Sequence, residues 1–571
     1  MSEGPYCILT LITLKRFFSM LNNKYILIFL VLIVLVNVFV LSPSIYHNAR
    51  GDHIYYLVET SGLNSFWSIL KYSYSYTRTR VFATGDKILF RPLFYAVLSL
   101  EKYFFGYNFI YWQLTGIVLH LLVLLQLFRI TKFFGHKFLF MLIALNFSVQ
   151  FISQEMIIWH HINAYMIFSV LFLEAFYQLI GYIKDPDKGR NKLWLVAFYL
   201  TLACLVFEFG IICSIVFAAV IFYLLMKERT RTKSILENIR PVLIVLLPSI
   251  IYTLINVLNY MNNTGSRSIG RDFGIFNFAR TAQHFINIVW IYFRSNLLVF
   301  FTDLDPLGRV TMTPMTWSSV KKGFVTNHLL SAVNVIYVLL IVIILVRLLS
   351  EMLKAVKKSY VEKIKYDKPL GVSLAVSVSL AVLYLFLLTA ARPSTTGAEY
   401  AYITNALYHF YQVSLFASIA LYLFFVSLYD NILKKNKGLF LTIILALCIS
   451  IFLNGYKSYV FNSIMKDNDH SWGKFIISLN SFVQGHKQEE DFSFDVGYTE
   501  KTRRGVFIVG DPEEGKKIVG SVYSMLFGQY IKGVDSKYLI VYTDQEGFRA
   551  FTDKNEAIKA MNEHLNKSIG H

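Results

Sequence analysis

Long, uninterrupted apolar runs are the feature that most constrains this chain. They recur from Tyr25 to about Gly455, whereas the last fifth of the sequence has the mixed composition of a soluble domain. In lipid, every backbone amide and carbonyl must be satisfied within its own segment, so apolar runs of about 20 residues are expected to be spanning helices. The sequence therefore predicts a polytopic, mainly α-helical membrane protein.

The loops between the apolar runs alternate between base-rich and base-poor. The positive-inside rule places base-rich loops in the cytoplasm, which puts the N-terminus inside and the C-terminal tail outside. Long outer loops are then expected at 43–108 and 259–327. The eleven predicted spans are 25–42, 109–129, 138–152, 163–182, 193–207, 210–226, 241–258, 328–346, 370–391, 408–428 and 438–454.

One apolar stretch is excluded from the spans. If Phe285–Phe301 crossed the membrane, the basic stretch Arg347–Lys368 would fall outside, against the charge rule. The run also carries Arg294 near its middle, and a charge at the bilayer centre is costly. We therefore predict that Asp272–Phe301 forms interfacial helices on the outer surface.

Three regions are predicted along the chain. Residues 1–24 form a cytoplasmic or interfacial N-terminus, 25–455 the transmembrane bundle, and 456–571 a small, soluble extracytoplasmic α/β domain. Apolar periodicity in the tail predicts both helices and strands. The helices are Trp472–Gln484, Ser521–Tyr530 and Asn555–Leu565, and the strands are Gly505–Gly510 and Lys537–Tyr542.

The formal net charge of +19 does not indicate a nucleic-acid partner. From Asp467 onward acids and bases nearly balance, so the excess base lies in short loops between apolar runs. That distribution is a topology signal rather than a nucleic-acid surface.

The first outer loop carries several charged side chains. Asp52, followed by His53, comes just after the first span, where a carboxylate at a membrane surface can act as a general base. Asp86 precedes Lys87, and Arg91 lies four residues beyond Lys87, so the two cations are candidates for binding phosphate oxygens. Alternatively, Asp52 is only a solvated acid of the loop. Lys87 and Arg91 would then be bases at the membrane interface whose charged ends reach the headgroups.

Later outer segments add further candidates. Glu155 and Trp159 are four apart and would share a helix face, His160 follows at once, and Glu208 lies near the outer end of a hairpin of two short spans. The loop 259–327 supplies Arg271 and Arg280. It also contains Asp303-Leu-Asp305, an acid pair of the kind that can hold a divalent cation. No other cofactor is indicated.

Several short motifs resemble one family. They are Arg91-Pro92-Leu93, Phe105-Gly106-Tyr107-Asn108, Leu119-His120-Leu121, the stretch Asn146–Tyr165 and Phe207-Glu208. Together they resemble the multispanning glycosyltransferases of the GT-C superfamily, near the branch of protein O-mannosyltransferases and similar dolichyl-phosphate-mannose-protein mannosyltransferases.

The resemblance implies a polyprenyl-phosphate sugar donor and an inverting transfer at the outer membrane face. Asp52 occupies the family's usual position for the catalytic base, although many relatives have two adjacent acids and Asp52 is flanked by Gly51 and His53. Asp86 and Glu155 are the candidate second acids. Donor phosphate would be bound by Lys87, Arg91, Arg271 and Arg280, and the acceptor or sugar by His53, Trp159, His160 and Glu208.

The acceptor would be a glycan, a lipid or a protein of the cell envelope. The protein itself would lie in the cell membrane. Two other functions stay open. An envelope polysaccharide polymerase or ligase would use a diphosphate-linked donor, with key arginines in the large outer loop. A transporter or flippase would carry paired charges deep in the bundle and often repeated halves.

Overall fold

The computed structural model describes most of the apolar half and parts of the tail. The described residues are 24–47, 53, 56–57, 60, 63, 65–79, 91–186, 189–227, 235–261, 278–302, 321, 325–357, 368–391, 407–485, 507–509, 539–543, 547–551, 556 and 559.

These residues are almost entirely helical. In chain order the helices are α1 (Lys24–Leu41), α2 (Phe66–Thr79), α3 (Pro92–Phe105), α4 (Phe109–Arg129), α5 (Thr131–Phe134), α6 (Lys137–Val149), α7 (Gln154–Ile158), α8 (Tyr165–Lys184), α9 (Arg190–Val206), α10 (Phe209–Lys227), α11 (Ile235–Met261), α12 (Phe278–Leu297), α13 (His328–Lys357), α14 (Lys368–Ala391), α15 (Phe410–Leu428) and α16 (Lys437–Gly485).

Among the described helices, eight are long and apolar enough to cross a membrane. A ninth crossing results if α6 and the segment Phe151–Ile158, which meet at a bend of 60°, are one broken span. The predicted spans 25–42 and 193–207 correspond to shorter apolar helices, Val31–Ile45 and Asn191–Val206. The structure therefore supports a mainly α-helical, multi-pass membrane protein with fewer full-length spans than the eleven predicted.

Helices α8 and α15 occupy the centre of the bundle. They are the most enclosed of the spans, whereas α11 and α13 leave most of their surface exposed at the periphery. Helix α8 packs against α4 and α9, and α15 packs against α14. A helix that is apolar all round is expected in lipid, where the outer surface of the bundle faces acyl chains rather than water.

The bend after α6 encloses a segment that the sequence placed in an outer loop. Gln150 has an extended backbone (φ −60°, ψ 116°), which ends α6. The following residues, from Phe151 to Ile158, are all buried. We call 150–158 the elbow. Glu155, expected between spans close to the bilayer surface, is therefore packed inside the protein, and its position relative to the bilayer stays a prediction.

Helix α12 is not among the eight spanning candidates. One face, with Ile288, Ile291 and Arg294, is buried, and the other, with Ile286 and Trp290, is exposed. It packs against α14 and α15 through aromatic contacts. The exclusion of Phe285–Phe301 from the spans stays a prediction, and the predicted beginning of this region, 272–277, lies outside the described residues.

The last helix continues beyond its apolar part, which ends at Lys466. Helix α16 has 49 residues, so it includes the predicted helix Trp472–Gln484, and the predicted domain boundary at Gly455 falls inside it. Three antiparallel strands follow in the order β1-β2-β3. They are β1 (Phe507–Val509), β2 (Leu539–Thr543) and β3 (Gly547–Phe551).

Two of these strands match predicted ones, and β3 was not predicted. The predicted helix Ser521–Tyr530 lies outside the described residues. Within Asn555–Leu565 only Glu556 and Lys559 are described, and both are helical.

Candidate functional site

The segment 159–165, which leads from the elbow into α8, contacts most of the candidate residues that the structure describes. We call it the site segment, and each of its side chains is buried or half-buried. Three polar clusters lie against it. They are the Arg91 cluster (Arg91, Tyr165, Glu208), the histidine cluster (His53, Glu101, Gln113, His160, Asn163) and the Glu155 cluster (Glu155, Trp159, Tyr408).

In the Arg91 cluster a guanidinium grips a carboxylate with two parallel hydrogen bonds. Arg91 Nε donates to Glu208 Oε2 at 2.7 Å, and Nη2 donates to Oε1 at 2.6 Å. Nη1 donates to the Tyr165 hydroxyl at 2.6 Å. The guanidinium carbon also lies 5.6 Å and 5.7 Å from the ring centres of Tyr165 and Phe207.

The local sequence explains how this pair forms. Arg91 directly precedes Pro92, which begins α3, and Glu208 lies in the turn between α9 and α10. A residue expected to bind donor phosphate and one expected to bind acceptor therefore bind each other. Both roles stay predictions, and each requires the ion pair to open.

The histidine cluster surrounds a fully enclosed imidazole. The ring centre of His53 lies 4.4 Å from that of Trp112, 5.4 Å from that of His160 and 6.4 Å from that of His161. Among the described residues, neither ring nitrogen of His53 has a hydrogen-bond partner. Burial, together with the nearby His160, His161 and Lys102, holds the pKa of His53 well below its usual value. His53 is therefore a neutral imidazole near pH 7.

Two hydrogen bonds of the histidine cluster hold the site segment in place. Asn163 Nδ2 donates to Glu101 Oε1 at 2.9 Å. His160 Nε2 lies 3.1 Å from Gln113 Oε1, and because an amide oxygen only accepts, the imidazole donates. Gln113 in turn donates to Ser44, in the turn after α1. These contacts join the site segment to three separate elements.

Glu101 is a buried carboxyl with one neutral partner. It is 4% exposed, and no described residue donates a hydrogen bond to Oε2. Desolvation raises its pKa to about 8, although the Asn163 hydrogen bond acts in the opposite direction. Burial likewise lowers the pKa of Lys102 to about 8, and its ammonium lies 4.1 Å from the ring centre of Tyr107.

Sequence reasoning missed Glu101, Gln113 and Asn163. The adjacent acid and base at 101 and 102, at the end of an otherwise apolar stretch, were the available signal.

The Glu155 cluster ties the elbow to α15. The backbone N–H of Tyr408 donates to Glu155 Oε2 at 2.9 Å, in the 3₁₀ turn that leads into α15. The Trp159 ring packs edge-on against the Tyr408 ring, with centres 5.3 Å apart. A carboxylate is stabilised at a helix N-terminus by the helix dipole and by unpaired amides. Glu155 thus has a structural role here, and a catalytic role for it stays a prediction.

Other predicted site residues lie outside the described residues. These are Asp52, Asp86, Lys87 and Arg271. Arg280 is in the first turn of α12, and only its backbone is described. Within the described part of the chain, no three His, Cys, Asp or Glu side chains are arranged to hold a metal ion. The acid pair Asp303 and Asp305 lies outside that part.

A second arginine–glutamate pair joins the last residue of α4, Arg129, to Glu174 in the middle of α8. Arg129 Nη1 donates to Glu174 Oε2, and Gln178 Nε2 donates to Glu174 Oε1 at 2.7 Å. The Arg129 guanidinium carbon is 4.4 Å from the ring centre of Tyr177. This pair lies beside the base-rich loops, far along the bundle from the site segment, and gives Glu174 a partner within the bundle.

A solved structure is similar to this chain, whereas family models and curated proteins are not. No family model matches the chain, and no curated protein matches its sequence. A solved structure of an oligosaccharyltransferase from Archaeoglobus fulgidus, tethered to an acceptor peptide containing an NVT sequon, has 14% identity and a TM-score of 0.39. The similarity covers 78% of this chain and 56% of the archaeal chain, so this chain spans little more than half of that protein.

Proposed function

We propose that this protein is a GT-C-type membrane glycosyltransferase that moves a sugar from a polyprenyl-phosphate donor to an acceptor at the outer membrane face. One observation carries the proposal. Guanidinium, carboxylate, imidazole and aromatic groups from distant parts of the chain converge on the site segment, at one end of a lipid-embedded bundle. A lipid-linked sugar needs a polar site at one end of the membrane bundle, where its phosphate and sugar can meet charged and aromatic groups.

The proposed sidedness is supported by where the two ion pairs lie along α8. The Arg91 cluster is at its N-terminal end, next to base-poor loops, and the Arg129–Glu174 pair is near the base-rich loops. We propose that the two short apolar helices and the bent α6–elbow pair also cross. Eleven crossings then place the N-terminus in the cytoplasm, and the site segment and the tail outside the cell membrane.

The chemistry is a single displacement with inversion. Asp52 would take the proton of the acceptor hydroxyl while the hydroxyl oxygen forms a bond with the anomeric carbon of the donor sugar. The bond from that carbon to the donor phosphate breaks, and polyprenyl phosphate leaves. Asp86 is the proposed second acid.

Cations would stabilise the charge on the departing phosphate. Lys87, Arg91, Arg271 and Arg280 are the proposed cations. His53, Trp159 and His160 would bind the sugar or an acceptor, which is a glycan, a lipid or a protein.

The test is sugar transfer in membranes from a labelled polyprenyl-phosphate sugar. Asp52→Asn should lower the rate by about 10²–10⁴-fold, because the base is lost. The control is Glu351→Gln, which removes an acid at the far end of α13 and should leave the rate unchanged. Full activity of Asp52→Asn would overturn the base assignment. Failure of the wild type to bind or use any polyprenyl-phosphate sugar would overturn the proposed function.

A further inference from the structure

The Arg91 guanidinium already binds an anion, and that anion belongs to the protein. We propose that Glu208 occupies the position of the donor phosphate: the incoming phosphate displaces the Glu208 carboxylate from Arg91, and the carboxylate returns when the product leaves. This inference rests on the proposed function and assigns Glu208 a role as a displaceable carboxylate instead of an acceptor ligand.

The planar guanidinium of Arg91 can bind either the Glu208 carboxylate or a phosphate. Nε and Nη2 donate in parallel to two oxygens at 2.7 Å and 2.6 Å. Two phosphate oxygens accept from a guanidinium in the same bidentate manner. A sugar–phosphate–polyprenol is a phosphodiester with one negative charge, so it would replace the single charge of Glu208 and leave the net charge of the site unchanged.

Arg91 is held independently of Glu208. Its Nη1 donates to the Tyr165 hydroxyl, and its guanidinium lies near the rings of both Tyr165 and Phe207. Hydrogen bonding and cation–π attraction therefore keep the cation in place when the carboxylate leaves. The exchange needs only the acid to move.

The contrast with the second ion pair supports this assignment. The Glu208 side chain is 31% exposed and lies in a turn, and within the described residues its carboxylate accepts only from Arg91. The Glu174 side chain is 11% exposed, lies inside α8 and also accepts from Gln178. Glu174 is thus locked into its pair, whereas Glu208 can be displaced by a ligand that arrives from outside.

The experiment measures binding of farnesyl phosphate, a short polyprenyl phosphate without sugar, to the full-length protein in detergent. Titration calorimetry gives the Kd for wild type, Glu208→Gln and Arg91→Lys, with Glu174→Gln as the matched control. Farnesol and inorganic phosphate separate the contribution of the lipid tail from that of the phosphate.

Removal of the competing carboxylate should tighten farnesyl phosphate binding about tenfold in Glu208→Gln. Loss of the planar fork should weaken it by about tenfold in Arg91→Lys. Glu174→Gln should bind as the wild type does. Glu208→Asp, whose shorter side chain pulls the carboxylate away from the fork, should tighten binding too. The ligand-induced rise in Tm, measured for each variant against its own unliganded state, checks that each variant is folded.

The outcomes separate this inference from the proposed function. Wild-type binding that does not tighten in Glu208→Gln or Glu208→Asp overturns the inference and leaves the donor class standing. Tightening in both variants, together with a wild type that transfers no sugar, supports the exchange and overturns the proposed function. If no variant binds farnesyl phosphate while the wild type transfers sugar from a polyprenyl-phosphate donor, the inference is overturned and the proposed function stands.

Discussion

Gly116 of α4 faces the carbonyl oxygen of Ile157 in the elbow, and a β-carbon built at this glycine would lie only 2.3 Å from that oxygen. The two backbones are therefore in direct contact. This approach places the elbow, and the site segment after it, against α4, from which Gln113 reaches His160.

Substitution Gly116→Ala should lower the stability of the protein. The added methyl group overlaps a backbone oxygen that cannot rotate away, and overpacking of this kind costs about 1–3 kcal/mol. The measurement is Tm in detergent. The control is Gly455→Ala in α16, where the new methyl would meet Val40 at an ordinary 3.8 Å. Because alanine favours the helix over glycine, this control should hold or raise Tm. Equal Tm values for Gly116→Ala and wild type would contradict the close contact.

Stability should fall as pH rises between pH 6.5 and 8, through Glu101. Its folded-state pKa of about 8 lies above the usual 4.5, so the folded chain retains a proton that the unfolded chain has lost. The stabilisation is complete below pH 4.5 and is lost as pH rises through 8. The pKa values of His53 and Lys102 are both lowered, and the unfolded forms of these residues titrate near 6.5 and 10.5, outside most of this window.

Glu101→Gln isolates this effect. Glutamine keeps an oxygen for Asn163 but cannot titrate, so the variant should show a flatter dependence of Tm on pH. Comparison with wild type cancels the other titrating groups. Parallel curves for the two proteins would mean that Glu101 is ionised in the fold.

Glu155 should tolerate loss of its charge but not loss of its oxygen. Glu155→Gln still offers an acceptor to the Tyr408 N–H and should keep both Tm and sugar transfer. Glu155→Ala removes the carboxylate oxygen that accepts from the Tyr408 N–H just before α15, and should cost about 0.5–2 kcal/mol, as other lost helix caps do. The two variants are compared by Tm and by transfer rate. A hundredfold slower Glu155→Gln with an unchanged Tm would instead give Glu155 a catalytic role.

A reporter of sidedness fused after Leu353, near the end of α13, should report the cytoplasm. This expectation rests on the prediction that α12 lies along the outer surface, which would keep the basic residues after α13 inside. A second fusion at the C-terminus should report the outside. An outside signal at Leu353 would mean that α12 crosses the membrane.

The apolar pattern predicted elements well because membrane helices satisfy their own backbone. Each predicted span contains helix, and Glu208 lies in the turn of the helical hairpin that the sequence predicted around it. Its partner was not predictable, because Arg91 is 117 residues away and no periodicity encodes an ion pair across that distance. The same holds for Glu155, whose partner Tyr408 is 253 residues away.

The elbow was missed for a different reason. Its residues mix polar and apolar side chains, a composition that indicates an exposed loop. Their burial depends on tertiary contacts such as those of Gly116 and Ile157, which override local composition. Helix α3 was likewise hidden inside a segment treated as one long loop.

Because α16 is one continuous helix, the number of residues in it sets the direction in which the tail leaves the bundle. A helix of 49 residues is roughly 74 Å long, and only about 30 Å of that length is needed to cross the hydrocarbon core. Each inserted residue turns everything beyond it by about 100° and advances it about 1.5 Å. One alanine inserted in the C-terminal half of α16 would therefore rotate the chain beyond it by about 100° around the helix axis. An insertion of eighteen residues makes five complete turns, so it would restore the original direction and only lengthen the helix.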